Sequence, residues 1–411
     1  MLIVYVKPNF NLWVFIVASI AWITGWLLTF KRAKHKSWFF LSLFMPLLFI
    51  WMALHISFIQ NWIVSTVSQK LSNGLKATVR IKHIDYVFFD KLNLNGLLVQ
   101  DQKKDTLLYA GSAKVNITDW FFLKTKATLK YVSLTDATVN MHRTDSVWNY
   151  QFLIDYFGSA KKSTVKKDAI QFDIKILQLE NIQFNKIDKW LGQNVIVAVK
   201  KLDLFADEIS MSDKKFFINT LTLDKPEFSQ FNYPGNIEKL NLPQDTTNPV
   251  SKPTALQWNN EGWIINVKKI HITNGIFKNE KQTDRPPYPG RFDGVHLQFS
   301  AINSDFNNLH FEKDTLTTNA LLATNERSGF IVKKLEAQIK FTPEIMEFKN
   351  LTLATNKSKL GNYYAMHFKR FGRDMGDFLH SINLEANFIN CIVMTWHFLH
   401  LTLKPGKGYL H

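Results

Sequence analysis

Five segments of the sequence share one spacing of apolar residues, and this repeat limits the fold more than any other feature. Counting from the first residue of each segment, apolar residues recur with some exceptions at positions 0, +2, +3, +5, +8 and +10. The segments begin at Phe89, Leu129, Ile174, Ile218 and Val267, so their starts are 40, 45, 44 and 49 residues apart. A degenerate sixth copy includes Phe348, Leu351 and Leu353. A regular period of this length predicts a stack of similar units.

The residue types within each segment predict β-strands, because β-branched and aromatic residues dominate and apolar residues alternate with polar ones. Positions 0 and +2 differ in parity from +3 and +5, which places the two pairs on opposite faces of a strand, as a bulge or a crossing between faces would. An Asp, Asn or Gly at +6 to +8 predicts a turn into a second short strand. The expected fold is therefore mainly β, an elongated, curved sheet built from repeated strand pairs.

Positions +3 and +5 are the strongest candidates for a continuous apolar surface. They are apolar in all five copies, whereas positions 0 and +2 admit Lys91, Thr220 and Lys269. A buried, unpaired ammonium costs several kcal/mol, so a dry surface excludes lysine. The candidate residues are Leu92, Leu94, Val132, Leu134, Leu177, Leu179, Leu221, Leu223, Ile270 and Ile272. The alternative is that these residues form the core of an ordinary β-sandwich.

The first 60 residues predict two transmembrane helices, at about 10–30 and 38–59. No charged residue lies between Lys7 and Lys31 or between Ser37 and Gln69, and each apolar stretch is long enough to cross a bilayer. A cleavable signal peptide is the alternative for the first stretch, but the basic cluster Lys31–Lys36 follows the apolar run instead of preceding it. Positively charged loops stay in the cytoplasm, so the remainder of the chain is expected on the far side of the membrane.

The rest of the chain divides into three regions. Residues 61–74 carry apolar residues at helical spacing and predict a short amphipathic helix that ends near Asn73-Gly74. Residues 75–392 form the β-repeat domain, in which 243–253 and 285–290 are Pro-rich linkers expected to interrupt the sheet. Residues 393–411 lose the strand alternation, and we expect a change of reading frame near Val393 to have produced this atypical tail.

Charge and motif content exclude several classes of protein. The formal net charge is +16, but the lysines are dispersed, which indicates a solvated surface or attraction to anionic lipid head groups and not a nucleic-acid site. No HExxH, CxxC, P-loop, GxGxxG or GxSxG spacing occurs, so we expect no catalysis, cofactor or metal. A single Cys391 excludes an intrachain disulfide.

Several segments, in this order, resemble the AsmA-like family, and within it the TamB-type translocation and assembly module proteins of Bacteroidetes. An apolar stretch precedes Ile59-Gln60-Asn61-Trp62 and a short helix; the remaining segments are residues 79–85 (VRIKHID), 101–109 (DQKKDTLLY), 115–117 and 144–152 (TDSVWNYQF). The resemblance covers about residues 40–392. Two departures are a second membrane helix and a chain much shorter than those of the family.

The resemblance implies a fold and a function. It implies a long β-groove, anchored in the inner membrane and lying in the periplasm, whose apolar lining carries phospholipid or another acyl lipid between membranes or assists outer-membrane protein assembly and secretion. It also implies an outer-membrane barrel partner, contacted through a C-terminal domain that we expect to be missing here. The alternative is a membrane-tethered structural or regulatory envelope protein that binds partners through sheet edges without carrying lipid.

Overall fold

The mainly β fold is confirmed by a computed structural model. The structure describes residues 64–66, 68–69, 72–73, 75–87, 91–117, 128–153, 171–210, 213–239, 258–369, 374, 378–388 and 392–393, together with Thr24. About 69% of these residues lie in strands. The strands are β1 (Thr78–Arg80), β2 (His83–Val87), β3 (Lys91–Gln100), β4 (Thr106–Ile117), β5 (Thr128–Arg143), β6 (Gln171–Asp188), β7 (Gln193–Ser210), β8 (Lys215–Asp224), β9 (Glu227–Asn232), β10 (Ile264–Lys281), β11 (His296–Glu312), β12 (Thr315–Glu326), β13 (Ile331–Phe341), β14 (Ile345–Thr355), β15 (Ser358–His367), β16 (Asn383–Phe388) and β17 (Ile392–Val393).

All seventeen strands belong to one sheet, and neighbours in the sheet are nearly always neighbours in the chain. Three positions in the sheet hold two short strands each: β1 and β2 both pair with β3, β8 and β9 lie between β7 and β10, and β16 and β17 pair with β15. Pairing is antiparallel except where β5 meets β6 and where β8 and β9 meet β10. Within the described residues the sheet is therefore a single ribbon of fourteen strand positions.

The five repeat copies occupy β3, β5, β6, the pair β8 and β9, and β10, and these strands all run in the same direction. Because β5 and β6 are adjacent and parallel, Val132 pairs with Leu177, at a separation equal to the repeat interval of 45 residues. The strands β4 and β7 run in the opposite direction between copies. The repeat thus produces like strands whose equivalent positions are aligned across the sheet.

Position +7 of every copy has a left-handed backbone. The φ angles are 63° at Gly96, 52° at Asp136, 53° at Asn181, 49° at Lys225 and 53° at Asn274. We call these five residues the left-handed line. The predicted turn at this point is wrong for four copies, in which one strand continues through the left-handed residue as it does through a bulge. Only the fourth copy breaks here, between β8 and β9.

Lys225 has the least suitable side chain on the left-handed line, since a left-handed conformation costs an L-residue with a Cβ roughly 1–2 kcal/mol. We expect Lys225→Gly to raise the free energy of unfolding by about 1 kcal/mol and Lys225→Val to lower it by at least as much. Urea titration of the purified full chain measures both. Equal stability of the glycine and valine variants would contradict the left-handed assignment.

Helices make up little of the described chain. Residues 64–66, 68–69, 72–73 and 75 are helical, where the sequence predicts a short amphipathic helix, and two four-residue helices occur at Asn236–Lys239 and Phe378–Ser381. Among the described residues no helix has the length and apolar character needed to span a membrane. The predicted membrane segments 10–30 and 38–59 lie outside the described residues apart from Thr24, as does the tail after Val393.

The two Pro-rich segments have different outcomes. Residues 243–253 lie outside the described part of the chain. Residues 285–290 belong to the connection between β10 and β11, which pair directly with each other. This second segment therefore does not interrupt the sheet, contrary to the prediction, because both strands that flank it remain hydrogen-bonded neighbours.

A buried ion pair ties together the carboxyl-terminal ends of β5 and β6. The Nε and Nη2 atoms of Arg143 donate to the two carboxylate oxygens of Asp188, each at 2.8 Å, and the side chain of Asp188 is 1% exposed. Burial by itself raises the pKa of Asp188. The hydrogen bonds from Arg143 and from the Leu191 N–H, with the nearby positive charges, outweigh burial and hold that pKa below its usual value.

Immediately beyond Asp188, the turn between β6 and β7 packs directly on the segment that follows β9. The Tyr233 N–H donates to the carbonyl of Gly192 at 2.8 Å, and the Gly192 N–H donates to the carbonyl of Asp188 at 2.8 Å. Gly192 has φ of +74°, and a Cβ there would lie 1.8 Å from the backbone carbonyl oxygen of Tyr233. Only glycine fits this close backbone approach.

Candidate functional site

The register of the sheet collects the predicted apolar positions into two continuous rows. Residues directly opposite each other on neighbouring strands lie on the same face of the sheet. The +3 row consists of Leu92, Val115, Val132, Leu177, Leu204, Leu221, Ile270, Phe306, Ala320 and Ala337. The +5 row consists of Ile84, Leu94, Ala113, Leu134, Leu179, Leu202, Leu223, Ile272, Ser304, Leu322, Leu335, Leu353 and Leu360.

All ten candidate residues from the sequence lie in these two rows, five in each. The side chain of Leu92 is outside the described part, so its place in the +3 row rests on backbone pairing alone. Sequence reasoning missed the members contributed by the strands between copies, such as Val115 on β4 and Leu202 and Leu204 on β7. Their signal is ordinary period-two alternation, visible once the repeat strands are known to flank them.

The left-handed line brings two further apolar positions onto the same face. In the fifth copy a Cβ on Gly275, at position +8, would lie 3.2 Å from the Cγ2 atom of Ile272, at position +5. Two residues three apart in a regular strand point to opposite faces, so the left-handed Asn274 between them restores a common face. Positions +3, +5, +8 and +10 therefore form one apolar face, which we call the inner face.

Position +10 adds a third long row to the inner face. The +10 row consists of Val79, Val99, Leu108, Val139, Phe184, Val197, Phe228, Phe277 and Phe299. Aromatic rings follow one another at its end: the centroids of Phe228 and Phe277 are 5.6 Å apart, and those of Phe277 and Phe299 are 6.3 Å apart. The inner face thus carries parallel apolar rows that run across the strands.

The side chains of the candidate residues are only half-buried. Among the ten, none whose side chain is described is fully buried. In the described part of the chain, the only large side chains with less than 2% exposure are Ile84 and Asp188. A second sheet packed on the inner face would bury its leucines as a sandwich core does. Alanines, Ser304, Ile84 and Leu204 are buried in these rows, but the half-exposed candidate residues favour, for the part of the chain that the structure describes, an open apolar face over a closed core.

Polar side chains next to these rows form hydrogen-bonded ladders across the strands. The Tyr131 hydroxyl donates to Gln178 at 2.8 Å, and Gln178 donates to Asp203 at 3.1 Å. Asp203 also forms an ion pair with the exposed Lys201 at 2.9 Å. These residues alternate with the +3 and +5 rows, so they lie on the opposite face, where water and mutual hydrogen bonds satisfy them.

Position 0 does not always behave as an outward position. In the fifth copy Val267, at position 0, is 4% exposed, whereas Lys269, at position +2, is exposed. The two positions therefore occupy different environments although they are two residues apart in one strand.

One member of the +5 row is polar. Ser304 replaces an aliphatic residue between Ile272 and Leu322, is 4% exposed, and its hydroxyl has no hydrogen-bond partner among the described residues. An unpaired buried hydroxyl costs about 1–3 kcal/mol. The repeat pattern does not reach β11, so it does not predict this polar member.

Three potential metal ligands, Asp101, Asp105 and His142, converge at neighbouring ends of β3, β4 and β5. The Nε2 atom of His142 lies 4.0 Å from the Asp101 Oδ2 atom and 3.8 Å from the Asp105 Oδ2 atom. These three side chains could hold an ion. However, the Asp101 carboxylate already accepts the N–H groups of Lys103 and Asp105 and the Asn149 amide, so its burial is explained without a metal.

The described residues form a mainly β protein in which one face of the sheet carries mainly apolar rows that run across the strands. No family model matches the sequence, and no curated protein matches it either.

Proposed function

We propose that the inner face binds the acyl chains of phospholipid and that the protein passes lipid across the envelope, in the manner of the AsmA-like proteins that its sequence resembles. The observation that carries the proposal is the pair of mainly apolar rows, which follow the strand pairing across the sheet and whose described candidate residues are half-exposed. On this proposal the sheet curves into a groove along the left-handed line, where the regular pleat is interrupted in every copy.

Magnitudes support lipid as the ligand. Neighbouring strands are about 4.8 Å apart, so the thirteen residues of the +5 row extend over roughly 60 Å. That length exceeds one extended acyl chain several times over, so lipids can follow one another along the face. Burial of a long acyl chain, at about 0.8 kcal/mol per methylene, stabilises each bound chain by on the order of 10 kcal/mol.

The proposed cellular arrangement follows the sequence. The apolar stretches within the first 60 residues anchor the protein in the inner membrane, and the sheet lies in the periplasm. A role in outer-membrane protein assembly, with an outer-membrane barrel partner, is the further function that the family resemblance suggests. No enzymatic step is part of the proposal.

The proposal predicts that phospholipid co-purifies with the full chain and depends on the inner face. Leu134 and Leu179 are a directly opposed pair in the +5 row, and the double substitution Leu134→Asp with Leu179→Asp places two charges in the apolar path. We expect loss of bound phospholipid, because an unpaired carboxylate on an apolar surface excludes acyl chains. Mass spectrometry of solvent extracts measures the lipid per mole of protein.

The matched control is Ser133→Asp with Thr135→Asp. These two residues flank Leu134 and alternate to the opposite face, where Lys114 lies across from Ser133. The control should retain lipid and the circular dichroism of the wild type. Absence of phospholipid from the wild-type chain would overturn the proposal in favour of a tethered protein without lipid. Unfolding of the Leu134/Leu179 variant, with a folded control, would identify a closed core.

A further inference from the structure

The apolar rows on the inner face do not all extend along the whole sheet. The +10 row is apolar from β1 to β11 and then ends at Glu326 on β12, which pairs with Phe299. Glu326 is 5% exposed, and its carboxylate accepts the backbone N–H of Ser328 at 2.8 Å. A buried carboxylate that is hydrogen-bonded to a turn interrupts an apolar, acyl-binding surface. The apolar +10 row therefore ends at β12.

A different row begins before the +10 row ends. Two residues before position 0, apolar residues pair from β7 to β16. This amino-terminal row consists of Ile209, Phe216, Ile265, Phe311, Leu316, Phe341, Met346, Met366 and Leu384. It therefore lies on the opposite side of the +3 and +5 rows from the +10 row.

Left-handed residues show where the amino-terminal row joins the inner face. In the fifth copy the left-handed Asn274 lies two residues after Ile272 and directly before Gly275, and both of these residues are on the inner face. The same arrangement occurs on β11, where Asn308 (φ 55°) lies between Phe306 and Leu309. It occurs again on β14, where Asn350 (φ 53°) lies between Phe348 and Leu351.

By analogy with Asn274, the left-handed residues Asn308 and Asn350 place the amino-terminal-row residues of β11 and β14, Phe311 and Met346, on the inner face. On β11, Leu309 shares a face with Phe306, and Phe311 follows two residues later on that face. On β14, Met346 lies two residues before Phe348 and shares its face. Because the other members pair directly with one of these two residues or with each other, the amino-terminal row extends the inner face from β7 to β16.

We propose that the lipid route runs obliquely across the strands. It uses the +10 side of the inner face from β3 to β9 and the amino-terminal row from β12 to β16, and it changes sides at β11. This inference rests on the proposed function and adds the path that acyl chains take. β11 is the only described strand with left-handed residues on both sides of the central rows, at Ala301 and Asn308.

Site-specific photocrosslinking tests the route in the full chain. p-Benzoylphenylalanine replaces Phe184 (+10 row, β6), Met366 (amino-terminal row, β15), Glu326 (β12, at the end of the +10 row) or Gln183, which alternates with Phe184 to the opposite face. Cells grown with radioactive phosphate are irradiated, and phospholipid adducts of the purified chain are scored. We expect adducts at Phe184 and Met366, and only background labelling at Glu326 and Gln183.

The substitution at Glu326 removes a buried carboxylate and so changes the surface that it probes. A second pair of variants, at Met366, tests the route with Glu326 intact. Met366→Asp should lower the co-purified phospholipid, whereas Met366→Leu should leave it unchanged. Labelling at Glu326 equal to that at Phe184, or no loss in Met366→Asp, would overturn the oblique route while lipid binding itself stands. Absence of adducts at all four positions, with no lipid in the wild type, would instead overturn the proposed function.

Discussion

Arg143→Leu is expected to lower the free energy of unfolding by about 3–5 kcal/mol, because it leaves the buried Asp188 carboxylate without its counter-charge. Arg143 supplies two hydrogen bonds to Asp188, whose side chain is 1% exposed. Urea titration of the full chain at neutral pH measures the loss. The double variant Arg143→Leu with Asp188→Leu removes both charges and should be more stable than the single variant. A single variant as stable as wild type would contradict the burial of this pair.

The same pair predicts a pH dependence. The pKa of Asp188 in the folded protein lies below its unfolded value, so its contribution is fully present above about pH 4 and is lost as the pH falls through the folded pKa. In Arg143→Leu the burial of Asp188 instead raises its pKa, so the stability difference between wild type and variant should begin to narrow above about pH 4 and continue to narrow as the pH falls further. A difference that widens in acid would show the opposite sign of coupling.

Gly192→Ala is the second substitution with a large expected effect. The Cβ of the alanine would lie 1.8 Å from the backbone carbonyl oxygen of Tyr233, so the two backbone segments must separate. The hydrogen bond from the Tyr233 N–H to the carbonyl of residue 192 must then break. We expect the free energy of unfolding to fall by at least about 3 kcal/mol, measured by urea titration.

Gly262→Ala is the matched control for this clash. Gly262 has the same φ of +74°, but a Cβ there meets no atom within 4 Å. It should cost only the roughly 1–2 kcal/mol of the left-handed conformation. Equal losses in the two variants would show that backbone conformation, and not the contact with Tyr233, limits residue 192.

The sequence predicted the parts of the fold that repeat. Copies spaced about 45 residues apart identified the strands that carry the +3 and +5 rows, because a period-two pattern specifies which side chains share a face. The alignment of Leu134 with Leu179 follows directly from that spacing once β5 and β6 are parallel neighbours. The apolar character of the face is therefore visible in the amino-acid sequence alone.

Other parts do not follow from the pattern. The Asp, Asn and Gly residues near +7 predict turns, yet the same residues also favour left-handed positions within strands, and the pattern does not distinguish the two. Strands β4 and β7 carry no copy of the repeat, so their members of the rows were missed. The buried hydroxyl of Ser304 and the ion pair of Arg143 with Asp188 depend on long-range pairing that a single sequence does not reveal.

The order of the strands in the sheet has a consequence for how the chain folds. Where a position in the sheet holds one strand, that strand pairs with the strand or strands that precede it in the chain. Each newly synthesised strand can therefore pair with the exposed edge of the strands already formed. Such a ribbon can grow vectorially, residue by residue in the order of synthesis, with no need to wait for a distant segment. Its length is then set by the number of strands added, and copies of the repeat can be gained or lost at the growing end without disturbing those already folded.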